Sequence, residues 1–505
     1  MTTAVRSGPV AAGRALAAPG RSARQIRAEL GHPVVDADGH VLELLTAVLP
    51  YVREELPAAA FEAFRSRALP VDDMVRAHST AAVARATRVP QGAWWATPAA
   101  NVDDLATATL PALLYDRMDD LGMDYAILYP TKALGVAAVE DPDVRRGVAR
   151  GFNRYYAETY GPYQDRFRVA GIIPMHTPEE ACDALDHARS VGLRVVVLPD
   201  GVVRPIERAG TPTNRLLPGQ THWLDTYGLD SAHDYDPVWA RCADLGLAVN
   251  FHVGVGAVVP RVAASVTNYV FNHVGFFAER MGHLCKSLYL GGVTTRFPQL
   301  RFSFLEAGCG WACSLVADLV EHWERRSPAA LAAHLDPALI DWDRFEGLVR
   351  RYGAGLIAGP DDWRAALRQV PATGTPPADR DDWRHLRPTS DEDVVGRFVD
   401  SFSFGCEADD RAVATAYSGV VPGGRTLRAM FSSDMGHWDA GDLDGVLAAA
   451  VGLLDRGALT EDQFAAFAAG NAIDLFTAAD PAFFDGTALQ GHVASRPPAG
   501  PLQGG

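Results

Sequence analysis

Short apolar runs recur along the chain, and between them apolar residues return at helical spacing. The runs read as strands at Val34–Asp38, Tyr125–Tyr129, Arg168–Ile173, Arg194–Leu198, Leu247–His252, Leu300–Leu305, Ser401–Phe404 and Leu427–Ser432. The stretches Pro178–Val191, Asp236–Leu245, Val266–Leu290 and Gly310–Arg326 read as helices. Thr177-Pro178-Glu179-Glu180 has the form of a helix start: a capping hydroxyl, proline in the first turn, then acids facing the positive end of the dipole. Strands alternating with helices predict an α/β fold with a parallel sheet, and eight such strands are the number a closed (β/α)8 TIM barrel needs.

Three segments exceed what a minimal barrel requires, at about 41–114, 201–232 and 327–399. They are rich in Pro, Gly or charge and read as long loop insertions, the kind that form lids and pocket walls. The expected barrel spans 29–485, with a flexible tail at 1–28 and another at 486–505. The first tail holds Arg6, Arg14, Arg21, Arg24 and Arg27 without an acid or a continuous apolar core, unlike a secretory signal.

Composition narrows the class. The chain has 505 residues, 48% hydrophobic and 21% charged, which suits a globular enzyme with a sizeable core. A net charge of −16 argues against nucleic acid or an anionic membrane as the main partner. The expected partner is a small-molecule substrate, with a homodimer as the commonest assembly. Cys182, Cys242, Cys285, Cys309, Cys313 and Cys406 include no CxxC pair, which points to reduced thiols and a cytoplasmic protein. No apolar run is long enough to span a bilayer.

Ionisable residues fall where the expected strands end. Val34-Val35-Asp36-Ala37-Asp38-Gly39-His40 places Asp38 and His40 on one face of a strand. His252 closes the fifth strand, Glu306 follows the sixth and Asp434 follows the eighth. Each has a plainer explanation alone: a satisfied core histidine for His252, a pairing with Arg296 or Arg301 for Glu306, a helix cap for Asp434. Charges at several apolar strand ends are costly unless something balances them, and a shared cation would.

The segments Asp38-Gly39-His40-Val41-Leu42-Glu43, Tyr129-Pro130-Thr131, Gly292-Val293 through Arg301, Ser433-Asp434-Met435-Gly436-His437-Trp438-Asp439 and Gly470-Asn471-Ala472 resemble, in order and spacing, the amidohydrolase-related metal-dependent hydrolases. This TIM-barrel group includes aminocarboxymuconate-semialdehyde and resorcylate-type decarboxylases. The resemblance implies Asp38, His40, His252 and Asp434 as ligands of one divalent ion, zinc first and manganese second. Asp434 doubles as a proton carrier, and Glu306 stands where many members carry a histidine. His273 and His437 are the candidates to compensate for that exchange. The expected function is hydrolysis of an amide, ester, lactone or carbon–carbon bond by a metal-activated water. Nonoxidative decarboxylation of an aromatic or enoic acid is the alternative, and an inactive barrel serving as a binding protein the alternative of another class.

Overall fold

In the computed structural model the apolar runs are strands, and they close on themselves. The structure describes residues 20–66, 80–88, 101–206, 220–254, 264–353, 380–437, 440 and 442–496. The strands are β1 (Val35–Val41), β2 (Tyr125–Pro130), β3 (Phe167–Val169), β4 (Gly171–Ile172), β5 (Val196–Pro199), β6 (Val202–Pro205), β7 (His222–Asp225), β8 (Val249–His252), β9 (Phe302–Phe304), β10 (Phe402–Glu407) and β11 (Arg428–Ser432). Parallel pairing joins β1 to β2 and β2 to β3. After Ala170 the chain continues as β4, which begins a second parallel run through β5, β8, β9, β10 and β11. The ring closes where Asp434 N donates to Asp38 O at 3.1 Å and Ser432 Oγ donates to the same oxygen at 2.9 Å. With β3 and β4 taken as one interrupted strand, the chain is a (β/α)8 TIM barrel, and β6 and β7 form an antiparallel hairpin beside it.

Every residue of β1, β2, β5 and β8 is buried, as parallel strands covered on both faces require. Aromatic rings knit strands to helices: Trp239 meets Phe302 at 5.9 Å between ring centroids, and Trp311 meets Phe404 at 5.4 Å. Inside the barrel, Ser303 Oγ donates to Asn250 Oδ1 at 2.7 Å and Asn250 Nδ2 to Val196 O at 2.9 Å, so this buried amide is satisfied. Thr177 caps the helix Pro178–Ser190 by accepting from Glu180 N.

Some boundaries differ from expectation. β1 does not stop at Asp38 but runs to Val41, because its outer residues still pair with β2. The helix expected over Val266–Leu290 is two, Tyr269–His273 and Phe276–Leu290. Gly275 separates them with a left-handed φ of 76°, which a glycine adopts without strain. Part of the expected N-terminal tail is ordered: Ser22 opens a capping box for the helix Ala23–Glu29, Ile26 is buried, and Arg27 pairs with Asp124. Residues 1–19 and 497–505 lie outside the described residues, although the C-terminal segment carries the helix Gln490–Ser495. The insertions contribute helices such as Leu45–Glu55 and Trp342–Tyr352 and the β6–β7 hairpin. Among the described residues no helix is long and apolar enough to cross a membrane.

Gly39 shows how tightly β1 is held. A Cβ there would stand 2.7 Å from Asp36 Oδ2 and 2.9 Å from Leu128 Cδ2. Gly39→Ala is expected to destabilise the protein by about 1–3 kcal/mol, the usual cost of overpacking. The measurement is the urea unfolding midpoint, and an unchanged midpoint would refute the packing argument.

Candidate active site

The period-two side-chain alternation of β1 brings Asp38 and His40 to the barrel interior, both fully buried. β8 delivers His252 as its last residue, 1% exposed. Glu306 follows β9 and Asp434 follows β11, and both take left-handed backbone, with φ of 55° and 49°. Non-glycine residues hold that conformation where surrounding structure imposes it, which is frequent at functional sites. Here the constraint on Asp434 is visible: Asp36 accepts from Ser433 N at 2.9 Å and from Ser433 Oγ at 2.5 Å, gripping the turn just before it.

The side chains converge. His40 Nε2 lies 3.1 Å from His252 Nε2, 3.6 Å from Asp38 Oδ1 and 3.6 Å from Asp434 Oδ1. Glu306 Oε2 lies 3.1 Å from His252 Nε2, and Glu306 Oε1 lies 3.7 Å from His437 Nδ1. His437 lies against His40, the rings tilted by 35° with centroids 3.8 Å apart, and sets Nδ1 2.7 Å from Asp434 Oδ1. The donor atoms of Asp38, His40 and His252 lie within 4.8 Å of one another, as do those of His40, Asp434 and His437.

Two features show what this arrangement suits. His252 Nδ1 faces Val253 O at 2.9 Å, and His40 Nδ1 lies 3.5 Å from Thr131 Oγ1. A carbonyl only accepts, so His252 Nδ1 carries a proton, and its Nε2 faces both His40 Nε2 and Glu306 Oε2 at 3.1 Å. Second, neither carboxylate oxygen of Asp38 has a hydrogen-bond partner among the described residues. Two imidazole nitrogens set against each other and an unmatched buried carboxylate are unfavourable alone and favourable around a cation. Two nitrogens about 2.0–2.1 Å from one ion and 3.1 Å apart subtend roughly 100° at it. The residues therefore fit a divalent metal ion.

Burial pushes Asp38 up to about 7 and Asp36 up to about 6. His40 is held well below its ordinary value by burial and by the neighbouring His437 and His252. Burial opposes ionisation of Glu306, yet the facing imidazoles of His252 and His437 hold it down at about 2. Burial likewise works against charge on His437, but Asp434 and Glu306 raise it well above its usual range.

Six of the residues singled out in the sequence thus share one cluster: Asp38, His40, His252, Glu306, Asp434 and His437. The described contacts of His273 are elsewhere: its Nδ1 is 2.7 Å from Tyr269 Oη, and its ring packs on Phe277 at 5.3 Å. The helix break at Gly275 sets it apart from the buried face of Phe276–Leu290. Sequence reasoning passed over three groups. Asp36 precedes an irregularity of β1 between Asp36 and Gly39, and it acts at long range, on Ser433. Glu43 ties the ends of β1 and β2 together by accepting from Lys132 N at 2.8 Å and Tyr156 Oη at 2.6 Å. Tyr129 is the third, in strand register with His40.

A family model described as Amidohydrolase matches residues 35–357. No curated protein matches the chain. Among solved structures, an amidohydrolase from Mycobacterium avium subsp. paratuberculosis K-10 aligns with a TM-score of 0.54 at 16% identity, covering 88% of this chain and 100% of that one. A 5-carboxyvanillate decarboxylase from Novosphingobium aromaticivorans with bound manganese aligns at 0.46 and 16% identity, covering 89% and 98%. A 2,6-dihydroxybenzoate decarboxylase from Rhizobium aligns at 0.45 and 15% identity, covering 88% and 99%. At 16% identity the first of these likenesses, with its TM-score of 0.54, speaks to the fold alone.

Proposed function

The chain belongs to the amidohydrolase family, and on that footing we propose that it is a metal-dependent hydrolase of a small organic substrate, cleaving an amide, ester, lactone or carbon–carbon bond with an activated water. The observation that carries this is the convergence of His40 and His252 Nε2 at 3.1 Å beside the unmatched Asp38 carboxylate. As a family member the chain is an enzyme, and the reading as an inert binding barrel is set aside.

Asp38, His40, His252 and Asp434 would hold the ion. Two imidazoles and two carboxylates suit zinc first and manganese second. When bound, such an ion supplies a Lewis acid that lowers the pKa of a water from about 16 to about 7 and polarises a carbonyl. The protein's own residues then move the protons. Asp434 and Glu306 are the carboxylates placed to take the proton of the attacking water. Glu306 or His437 returns one to the leaving group, the pair standing 3.7 Å apart across Oε1 and Nδ1. Asp36 keeps Asp434 on station through Ser433.

Decarboxylation of an aromatic or enoic acid is the second reading. What bears on it is the apolar wall of Leu134, Ile172, Pro174, Val197 and Pro199, which lines a small cavity with room for about one water molecule. Pro199 pairs with His252, so this wall adjoins the cluster. Against it stands Glu306, whose negative charge would repel a substrate carboxylate.

Metal analysis of protein prepared without chelator tests the reading. Roughly one equivalent of zinc or manganese per chain is expected for a four-ligand site, and protein holding neither would refute it. Product analysis in isotopically labelled water then separates the reactions: label in the product marks hydrolysis, whereas carbon dioxide without label marks decarboxylation.

A further inference from the structure

The hydroxyl of Tyr129 is fully buried and has no hydrogen-bond partner among the described residues. Four other buried tyrosines are matched: Tyr156 donates to Glu43, Tyr227 to Pro199 O, Tyr235 to Met175 O and Tyr289 to Val394 O; Tyr160, packed among Tyr155, Tyr156 and Phe167, shares the unmatched state but adjoins no ionisable cluster of this kind. Leaving a buried hydroxyl unmatched costs stability, so a group of this kind in a native interior implies a partner that is not protein. Its position says which. Tyr129 is the parallel-register partner of His40, with ring centroids 6.4 Å apart. Both oxygens of Asp38, two residues before His40 on the same face of β1, are likewise unmatched. An unused donor and an unused acceptor pair therefore flank the same corner of the cluster.

We propose that the Tyr129 hydroxyl donates a hydrogen bond to the substrate oxygen on which negative charge develops, from the Asp38–His40 side of the cluster. This rests on the reading of the site as a metal-dependent hydrolase. A phenol is protonated near neutral pH, so it supplies the hydrogen bond without surrendering its proton. A neutral donor aimed at a growing negative charge strengthens as the charge forms, which makes Tyr129 a catalytic residue as well as a binding one. The substrate class it selects is one presenting an oxygen acceptor there: an acyl or lactone carbonyl, not a bare amine or hydrocarbon.

The test compares the cobalt(II)-loaded protein with its Tyr129→Phe variant, using acetohydroxamate as the probe because it offers an anionic oxygen to such a site. The expected result is cobalt affinity within about twofold of the parent and acetohydroxamate affinity about tenfold weaker, the loss of one charge-assisted hydrogen bond. The variant should also melt at the same temperature or higher, since it discards an unmatched buried hydroxyl. Equal acetohydroxamate affinities would overturn the assignment. So would a cobalt affinity lowered tenfold or more, the mark of a residue that only orients Asp38. A lower melting temperature would overturn it too, by showing that the hydroxyl has a protein partner. A parent protein that takes up no cobalt overturns the reading of the site itself and this inference with it. Cobalt-loaded proteins with equal probe affinities overturn the Tyr129 role alone.

Discussion

Asp434→Asn is expected to lower turnover by roughly 10²–10⁴-fold, the usual weight of a positioned proton carrier, while the melting temperature stays close to that of the parent. The two halves of this outcome have separate causes. Asp434 Oδ1 lies 2.7 Å from His437 Nδ1 and 3.6 Å from His40 Nε2, so its negative charge serves both a facing imidazole and the proposed ion. Asparagine keeps the shape but neither carries that charge nor accepts a proton from water. The backbone is spared, because φ at 434 is 49° and asparagine tolerates the left-handed region better than most side chains. The main-chain bond from 434 N to Asp38 O, at 3.1 Å, does not involve the side chain and persists. Alanine would confound the measurement by straining the turn as well as deleting the carboxylate. Turnover within a few-fold of the parent, in a variant of unchanged stability and metal content, would remove Asp434 from the chemistry.

The barrel and its candidate site were legible for one reason: both are written as short-range patterns. Apolar runs marked the strands, and an ionisable residue at the end of a run marks a side chain delivered to the mouth. Asp38, His40, His252, Glu306 and Asp434 follow that rule, His437 lies three residues past Asp434, and the structure gathers all six. His273 was drawn in by chemistry alone. It sat on an apparent single helix, and Gly275 turns that segment into two because a glycine there adopts a positive φ at little cost. Asp36 and Glu43 were harder to see because they act on other residues' backbones: Asp36 on Ser433, nearly 400 positions away, and Glu43 on Lys132 and Ala133. Long-range partners of this kind leave no periodic trace in a single sequence. Tyr129 was hidden differently, since an aromatic in an apolar strand reads as core until its hydroxyl is seen to lack a partner. The Gly470-Asn471-Ala472 segment carries its meaning in Asn471 Nδ2, which donates to Ala429 O at 2.7 Å and to Tyr417 Oη at 3.2 Å and fastens the helix Asn471–Ala479 to β11 behind Asp434.

Glu306→Gln separates the two candidate reactions by the direction of its effect. Glu306 is wedged between His252 Nε2 at 3.1 Å and His437 Nδ1 at 3.7 Å and is nearly sealed from solvent. If the enzyme hydrolyses its substrate, the carboxylate takes a proton from water or relays one through His437, and glutamine does neither. Turnover should then fall by about 10²–10⁴-fold, with the binding of a neutral substrate little changed. If the enzyme decarboxylates, the same carboxylate is an obstacle, because it places a like charge beside the incoming carboxylate. Neutralising it should then tighten substrate binding, whatever happens to the later protonation of carbon. The informative quantity is therefore KM and kcat measured apart on an anionic and a neutral substrate. A fall in kcat confined to the neutral substrate supports hydrolysis. A lowered KM for the anionic one, with carbon dioxide released, would reverse the proposed assignment and make the family's usual histidine at this position, tested as Glu306→His, the variant expected to improve the reaction.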